Sequence, residues 1–382
     1  MDLRISDEQR MFREMFTDFC SREIRPYGEE IDRSEKIPPE LLYKAVDQGF
    51  WCALVPEELD GAGMDVFTYM QLLEELARAD LSTALTLSVH NSLVVKPLLD
   101  CGNADQKQRY LPALATGEML GAFALSEAGA GSDTTGITLN AVRSGEQYLL
   151  SGSKHWVSNA EMAGLFLVFA RTESGITAFL VEKETPGLQI GYREKTLGLR
   201  GVTCNTIYFD SSPVPLENRL GEEAQGLSVA LDALNLSRLG MGALALGAVE
   251  RALEEAVSFS IEHIQFGAPI AQKQAIQNYI ADAKVQVEAL RCLVMHTAEL
   301  AQSGRSIIQE SAITKLFGSR VAGEVTNKML QVHGGYGYMK DYAIERYYRD
   351  CRALEIIEGT SQIQQFIIAR EVYRKEGLAI KP

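Results

Sequence analysis

Ile357-Glu358-Gly359-Thr360-Ser361, followed by Gln-Ile-Gln-Gln-Phe-Ile-Ile-Ala-Arg370, joins a carboxylate and a flexible glycine to the start of a helix. Ser361 with Gln364 three positions on has the pattern of a capping box, which predicts a helix beginning at Ser361. The glutamate is then left at the end of a loop. Far upstream, Phe123–Asp133 (FALSEAGAGSD) reads as a strand running into a loop with Gly129 and Gly131. Glycines let backbone amides approach a ligand closely, and the hydroxyls of Ser126 and Ser132 add donors. Taken alone, such a loop is more often a tight turn, and Glu358 and Glu355 are equal candidates for a loop carboxylate with chemistry.

Between and around these two stretches the pattern changes twice. To about residue 120 the chain reads as helical: Ser6 and Gln9 form a capping-box pair, and Met11, Phe12, Met15, Phe16 and Phe19 recur at helical spacing. Thr68–Gln71 predicts another helix start, and Leu81–Leu99, apolar nearly all round, predicts a buried helix. From about 121, short runs such as Ile137–Ala141, Leu165–Phe169, Thr177–Val181 and Thr206–Phe209 read as strands. Glycines punctuate them, and Ser211–Pro215 with Gly221 reads as a turn-rich boundary. From about 224 long helical periodicity returns over Leu227–His263, Gln272–Ser303 and Ile307–Val332, with a last helix from Ser361. Antiparallel helices of this length suit a bundle. The expectation is an α+β multidomain chain: an N-terminal helical domain (1–120), a middle β-barrel-like domain (121–223) and a C-terminal four-helix bundle (224–382).

Composition narrows the chemistry. With 382 residues, 46% hydrophobic and 23% charged, the chain is long enough for two or three domains with a large core. The net charge of −14 argues against nucleic acid, although a local basic pocket can still take an anion. The six cysteines are scattered without a Cys-x-x-Cys pair and the five histidines are scattered too, so neither a disulfide framework nor a metal site is expected. Apolar runs such as Leu165–Ala170 are shorter than a membrane span. The mixed-charge first ten residues show no signal peptide, and a cytoplasmic location is expected.

Four further stretches have a plain reading on their own residues. Trp156-Val157-Ser158-Asn159 is an aromatic among small polar residues in a strand, ordinarily core packing. His263-Ile-Gln-Phe266-Gly267, with Gln274 beyond it, is ordinarily a helix end. Gln331-Val332-His333-Gly334-Gly335-Tyr336-Gly337-Tyr338 is ordinarily a helix C-cap and turn. Asn235-Leu-Ser237-Arg238 sits on a long helix, where an arginine is ordinarily solvated.

Together with the glutamate segment and the glycine loop, these stretches resemble the acyl-CoA dehydrogenase family across essentially the whole chain, in the order helix, sheet, helix. The resemblance implies an FAD enzyme that oxidises an acyl-CoA thioester to the trans-2-enoyl-CoA. Electrons pass to an electron-transferring flavoprotein, and the assembly is a homotetramer, a dimer of dimers. It further implies that Phe123, Leu125, Ser126, Gly131 and Ser132 line the flavin, with Ser132 also near the CoA portion of the substrate. Trp156, Val157 and Ser158 lie on the flavin, the Ser158 hydroxyl near its hydride-accepting nitrogen. His263, Gln274, Gln331, Val332, His333, Gly334 and Gly335 contact the cofactor of a neighbouring subunit, while Thr360, Ser361 and Gln362 contact it from the other side. Asn235, Arg238 and Gly359 reach the acyl-CoA.

The family register selects Glu358 over Glu355 as the base that takes the α-proton. It also implies that the Glu358 N–H and a ribityl hydroxyl of FAD donate to the thioester oxygen. Some family members keep their base near Ser237, and serine cannot serve as one. Four positions depart from the pattern. Asn235 stands where an aspartate is common, which changes that contact from acceptor-only to donor and acceptor. Ala128 replaces a proline, which predicts a looser loop. Ile357 replaces a tyrosine. His263 replaces an arginine and cannot offer a bidentate fork to phosphate, which predicts either weaker FAD binding or a contact supplied by another residue. A flavin oxidase or monooxygenase of the same fold, and a helical binding protein that has lost catalysis, are the competing readings.

Overall fold

Ser6 caps the first helix as the spacing predicts: its hydroxyl accepts from the Gln9 amide, and the Gln9 side chain accepts from the Ser6 amide. The structure, a computed structural model, describes residues 6–380. Residues 1–5, part of the stretch read for a targeting segment, lie outside the described residues. The N-terminal helices are α1 (Asp7–Phe19), α2 (Gly28–Ser34), α3 (Pro39–Asp47), α4 (Val66–Ala79), α5 (Leu81–Ser88), α6 (Lys96–Cys101) and α7 (Ala104–Ala115). Helix α4 starts two residues before the predicted Thr68, because Asp65 is the cap and accepts from the Thr68 amide at 2.6 Å. Every residue from Leu81 to Val95 is buried, as their all-round apolarity predicts, although the run is α5 followed by a wider π-type stretch over Val89–Val95.

The middle segment forms one mixed sheet of β1 (Leu120–Ala124), β2 (Asn140–Ser144), β3 (Gln147–Ser158), β4 (Ala163–Arg171), β5 (Ile176–Glu182), β6 (Leu188–Arg193), β7 (Cys204–Pro215) and β8 (Arg219–Leu220). Its order is β6-β7-β3-β2-β4-β5-β8, with β1 parallel to β4. Two sequence expectations fail here. Pairing of β2 starts only at Asn140, so Ile137–Leu139 precede the strand. Ser211–Pro215 is not a boundary but the second half of β7, paired with β3 through Tyr148↔Val214 and Leu149↔Pro213. Ser211 at φ 50° makes a bulge there, after which the strand resumes despite its turn-like composition. A second bulge, between Lys154 and Val157, puts Trp156 at φ 55° and turns its indole outward while Val157 stays buried.

The C-terminal segment contains α8 (Gly226–Glu262), a hairpin of β9 (Ile264–Gln265) and β10 (Ala268–Pro269), then α9 (Gln274–Gln302), α10 (Ile308–His333), α11 (Ile344–Ala353) and α12 (Ser361–Lys375). Phe266 and Gly267 both have positive φ, the conformation of a two-residue hairpin turn, and the Phe266 ring at the tip is 94% exposed. Helix α11 has no counterpart in the sequence reading, because its buried face includes Arg346 and Asp350 rather than apolar residues alone. Helix α8 is the central element, packed on α4, α9 and α10. At Gly247 an added Cβ would come within 2.0 Å of the Glu74 carbonyl of α4, so only glycine permits that crossing. Helix α8 is the one described helix long and apolar enough to cross a membrane, and 83% of its most apolar stretch is buried inside the protein.

Candidate active site

The loop between α11 and α12 is built to hold one carboxylate. Glu358 at φ 56° and Gly359 at φ 94° are consecutive left-handed residues. Glycine adopts that region freely, whereas for glutamate it is strained and persists only where surrounding contacts impose it. Those contacts come from three helices. The cap of α12 is Thr360, one residue earlier than predicted, with its hydroxyl accepting from the Ile363 amide at 3.4 Å. Gln364 is therefore not a capping-box partner. Its side-chain amide donates to the Gly359 carbonyl at 2.8 Å, and Lys315 Nζ of α10 donates to the same oxygen at 2.7 Å. Ser361 is buried, its amide donating to the Glu355 carbonyl at 3.0 Å, and Gln362 faces solvent.

The Ser237 hydroxyl of α8 donates to Glu358 Oε2. Arg238 is buried rather than solvated, and its Nη1 donates to Asn235 Oδ1 at 3.0 Å. Burial lowers the Arg238 pKa to about 10, against the pull of Glu358. Burial likewise brings Lys315 down to about 8. Glu358 retains a partial opening to solvent, yet the protein around its carboxyl raises its pKa above the ordinary carboxylate value. Ser237, Lys315 and Arg238 pull the other way without cancelling that rise. The Glu358 N–H has no acceptor among the described residues. Glu355 is paired with Arg352 at 3.0 Å, which separates the two carboxylates that the sequence leaves equal.

The glycine loop is anchored from beneath. Lys154, 0% exposed, donates to the Leu125 carbonyl at 2.9 Å and to Glu127 Oε1 at 2.8 Å. Glu127 also accepts from the Thr138 amide and hydroxyl and from the Leu139 amide, at 2.7, 2.7 and 2.9 Å. Burial would raise the Glu127 pKa, but these donors outweigh it and hold the carboxyl below its ordinary value. The His155 amide donates to the Ser126 carbonyl at 2.9 Å, which ties the loop to β3 beside Trp156. So the loop is tied down by side chains on both of its flanks despite Ala128.

On the outer face of this anchor, Gly131 and Ser132 are exposed, and a Cβ on Gly129 or Gly131 would meet nothing within 4 Å. The Trp156 indole is 54% exposed, and Ser158 is partly so. Phe123 packs on Phe169, with ring centres 5.0 Å apart. The side chains of Leu125 and Val157 point into the core, leaving only their backbones for a ligand. Open backbone beside an exposed aromatic and hydroxyls fits a flavin ring.

A separate face lies at the far end of α10. His263 ends α8, its ring stacked on Phe259 at 4.8 Å, and Phe259 in turn stacks on His333 at 4.5 Å. Together with Val332, Gly334, Gly335 and Tyr336, these histidines line a cavity of about 630 Å³. Val332 and His333 are buried; His333 Nδ1 lies 2.8 Å from the Met329 carbonyl, and burial holds its pKa below the ordinary imidazole value. Gln331, Gly334, Gly335 and Gln274 are exposed. His333 and Lys315 are 18 residues apart on α10, about 27 Å at the helical rise, so the two faces lie far apart in one chain.

Lys315 and Gln364 are the site residues the sequence reading lacks, and in it Ser237 figures only as a failed base. Lys315 is detectable in principle: it shares a helical face with Ser311, Gly318 and Ala322, a charge on a buried stripe. The left-handed turn at Trp156 has no sequence signal of its own.

Comparison with known proteins agrees with this geometry. The descriptions acyl-CoA dehydrogenase N-terminal, middle and C-terminal domain match residues 6–118, 122–212 and 224–373. An acyl-CoA dehydrogenase of Bacillus subtilis (strain 168) is 40% identical over 373 residues, covering 96% of this chain and 98% of its own. The structure of butyryl-CoA dehydrogenase from Megasphaera elsdenii superposes with a TM-score of 0.95 at 36% identity, covering 98% of this chain and 100% of that one. A chain in a structure described as the electron transferring flavoprotein of Acidaminococcus fermentans superposes at 0.96 with 38% identity, over 98% of this chain and 100% of its own. With all three regions matched and relatives covering nearly its whole length, the chain belongs to the acyl-CoA dehydrogenase family, FAD-dependent enzymes that oxidise acyl-CoA thioesters.

Proposed function

We propose that Glu358 is the base of this dehydrogenase and that the substrate is a short-chain acyl-CoA, oxidised to its trans-2-enoyl-CoA. The observation that carries the assignment is the arrangement at Glu358: a carboxyl with a raised pKa beside its own backbone N–H that no described protein group uses. A raised pKa makes the carboxylate a better acceptor for a carbon-bound proton. The N–H is free to donate to the thioester oxygen, where negative charge grows as the α-proton leaves; one such donor is worth about 3 kcal/mol. Ser237 holds the carboxyl by a hydrogen bond, and Arg238 and Asn235, bonded to each other, are the residues we assign to contact with the acyl-CoA. FAD, when bound, supplies the acceptor for the β-hydride. Phe123, Leu125, Ser126, Gly131, Ser132, Trp156, Val157 and Ser158 would hold its ring, Leu125 and Val157 through their backbones, and Thr360, Ser361 and Gln362 would hold it from the glutamate side.

The short-chain reading rests on likeness to the butyryl-CoA enzyme. Likeness to the flavoprotein-associated chain supports an electron-transferring flavoprotein as the acceptor. The separation of roughly 27 Å between half-sites supports sharing each FAD between two subunits, with His263, Gln274 and Gln331–Gly335 reaching the neighbour's cofactor in a homotetramer. Domain limits at 120 and 223 and a cytoplasmic location complete the reading.

Purified enzyme mixed with acyl-CoAs of increasing length without oxygen should lose its flavin absorbance fastest with four-carbon chains. Equal or faster bleaching with long chains overturns the short-chain assignment, and no bleaching by any acyl-CoA overturns the dehydrogenase reading. His263→Arg restores a guanidinium where the ring now stacks on Phe259. If that face binds the neighbour's cofactor, the variant retains FAD on dilution about tenfold more tightly, a gain of ~1.4 kcal/mol read from released flavin fluorescence. Unchanged retention places the cofactor contact elsewhere.

A further inference from the structure

Proton transfer to Glu358 does not use Lys315, yet this lysine sits at 0% exposure on the buried face of α10. A buried ammonium is costly, so its retention calls for a compensating interaction. Hydrogen bonding alone is not a sufficient one. Gln364, also fully buried, already donates a neutral N–H to the Gly359 carbonyl that Lys315 reaches. What the lysine adds is charge, held at the carbonyl of the residue that follows Glu358. We propose that Lys315 is a positioning residue for catalysis: it clamps the Gly359 carbonyl together with Gln364, and its charge favours the carboxylate form of Glu358 that accepts the α-proton. This rests on Glu358 being the base.

The clamp acts on the one flexible joint of the loop. Gly359 at φ 94° would swing easily, and with it the Glu358 N–H and carboxyl, unless its carbonyl were held. The charge acts on the same residue from outside the loop. The groups whose fields reach this cluster are Arg238 of α8, Tyr69 of α4, Lys315 of α10, Glu355 of the loop, and Arg370 of α12 through Arg238. Lys315 and Arg238 are the two cations acting directly on the Glu358 carboxyl. Removing one cation leaves burial less opposed, so the Glu358 pKa rises and the acid side of the rate profile moves to higher pH.

Two variants separate the roles. Lys315→Gln keeps a donor without charge; Lys315→Met keeps neither. Steady-state rates of the full-length holoenzyme, measured from about pH 5 to 9 with an acyl-CoA and a dye acceptor, should show the acid limb of kcat/KM raised by about one pH unit in both. The Met variant should also lose about tenfold in kcat with little change in KM, while Gln stays within about threefold of wild type. An acid limb that stays in place in both variants, or a Met variant as fast as Gln, overturns the proposal. Flavin absorbance and melting temperature report folding, and Gln carries the test of charge if Met does not fold. Glu358→Gln measured alongside distinguishes the failures. Activity surviving there removes the base assignment and the proposal with it, whereas loss there with unmoved Lys315 limbs removes only the role of Lys315.

Discussion

Glu358→Gln is expected to lower the rate of acyl-CoA-dependent flavin reduction by about 10³-fold or more while FAD stays bound, because a positioned general base contributes roughly 10²–10⁴-fold and here no second carboxylate can replace it. Glu355 is engaged in its ion pair with Arg352 at 3.0 Å, and Ser237 is itself a donor to Glu358. Glutamine keeps the volume, the acceptor for Ser237 and the backbone N–H, so acyl-CoA binding should change little. The stability of the variant is the more discriminating readout. A carboxylate whose pKa is raised in the folded state is penalised when ionised, so it withdraws stability above its unfolded pKa and more so as pH rises towards the folded value. The neutral isostere removes that penalty. Rapid mixing and thermal melts at about pH 7 should therefore show a nearly dead enzyme that melts no lower than wild type. A variant that reduces its flavin at near-normal rate refutes the assignment; one that is dead but also loses FAD and melts early shows a structural role instead.

That trade of stability for reactivity also bears on which parts of the site the sequence can show. Long periodic stretches announce α8, α9 and α10 to within a residue or two, because burying an apolar face demands the period. Caps are legible where serine or asparagine chemistry is local, as at Ser6, but not where two candidates adjoin. Thr360 and Ser361 could each cap α12, and the choice falls to the three-helix packing around Gly359. Bulges are hidden for a similar reason. Nothing in Lys154–Val157 or in the residues around Ser211 encodes a left-handed conformation; the pairing of β3 with β7 over twelve-residue strands imposes it. Residues recognised by family register, Glu358 above all, need no geometry. Residues that act by holding them, such as Lys315, Gln364 and Lys154, come from distant parts of the chain, and their partners are visible only once folded.

Lys154→Met tests the most consequential of these holding contacts. The lysine spans from β3 to the glycine loop, joining the Leu125 carbonyl and the Glu127 carboxylate at full burial. Methionine fills the same length but donates nothing. Glu127 is left a buried anion without its cation, a change that typically costs about 3–5 kcal/mol. Since the pair binds the loop rather than the sheet's own ladder, the loss should appear first as released FAD and only then as a lower melting temperature. Acid makes the mechanism testable. Glu127 is held below its ordinary pKa, so its ionisation contributes stability that is full above the ordinary glutamate value and is lost as pH falls through the lower folded value. Without Lys154 that folded value rises, and acid release of FAD should begin at higher pH than in wild type. Adding Glu127→Gln to Lys154→Met removes the stranded charge and should recover part of the stability, and the Glu127→Gln single variant closes the cycle that gives the coupling of the pair. Wild-type FAD retention and acid release in Lys154→Met would show that the backbone amides alone hold the loop.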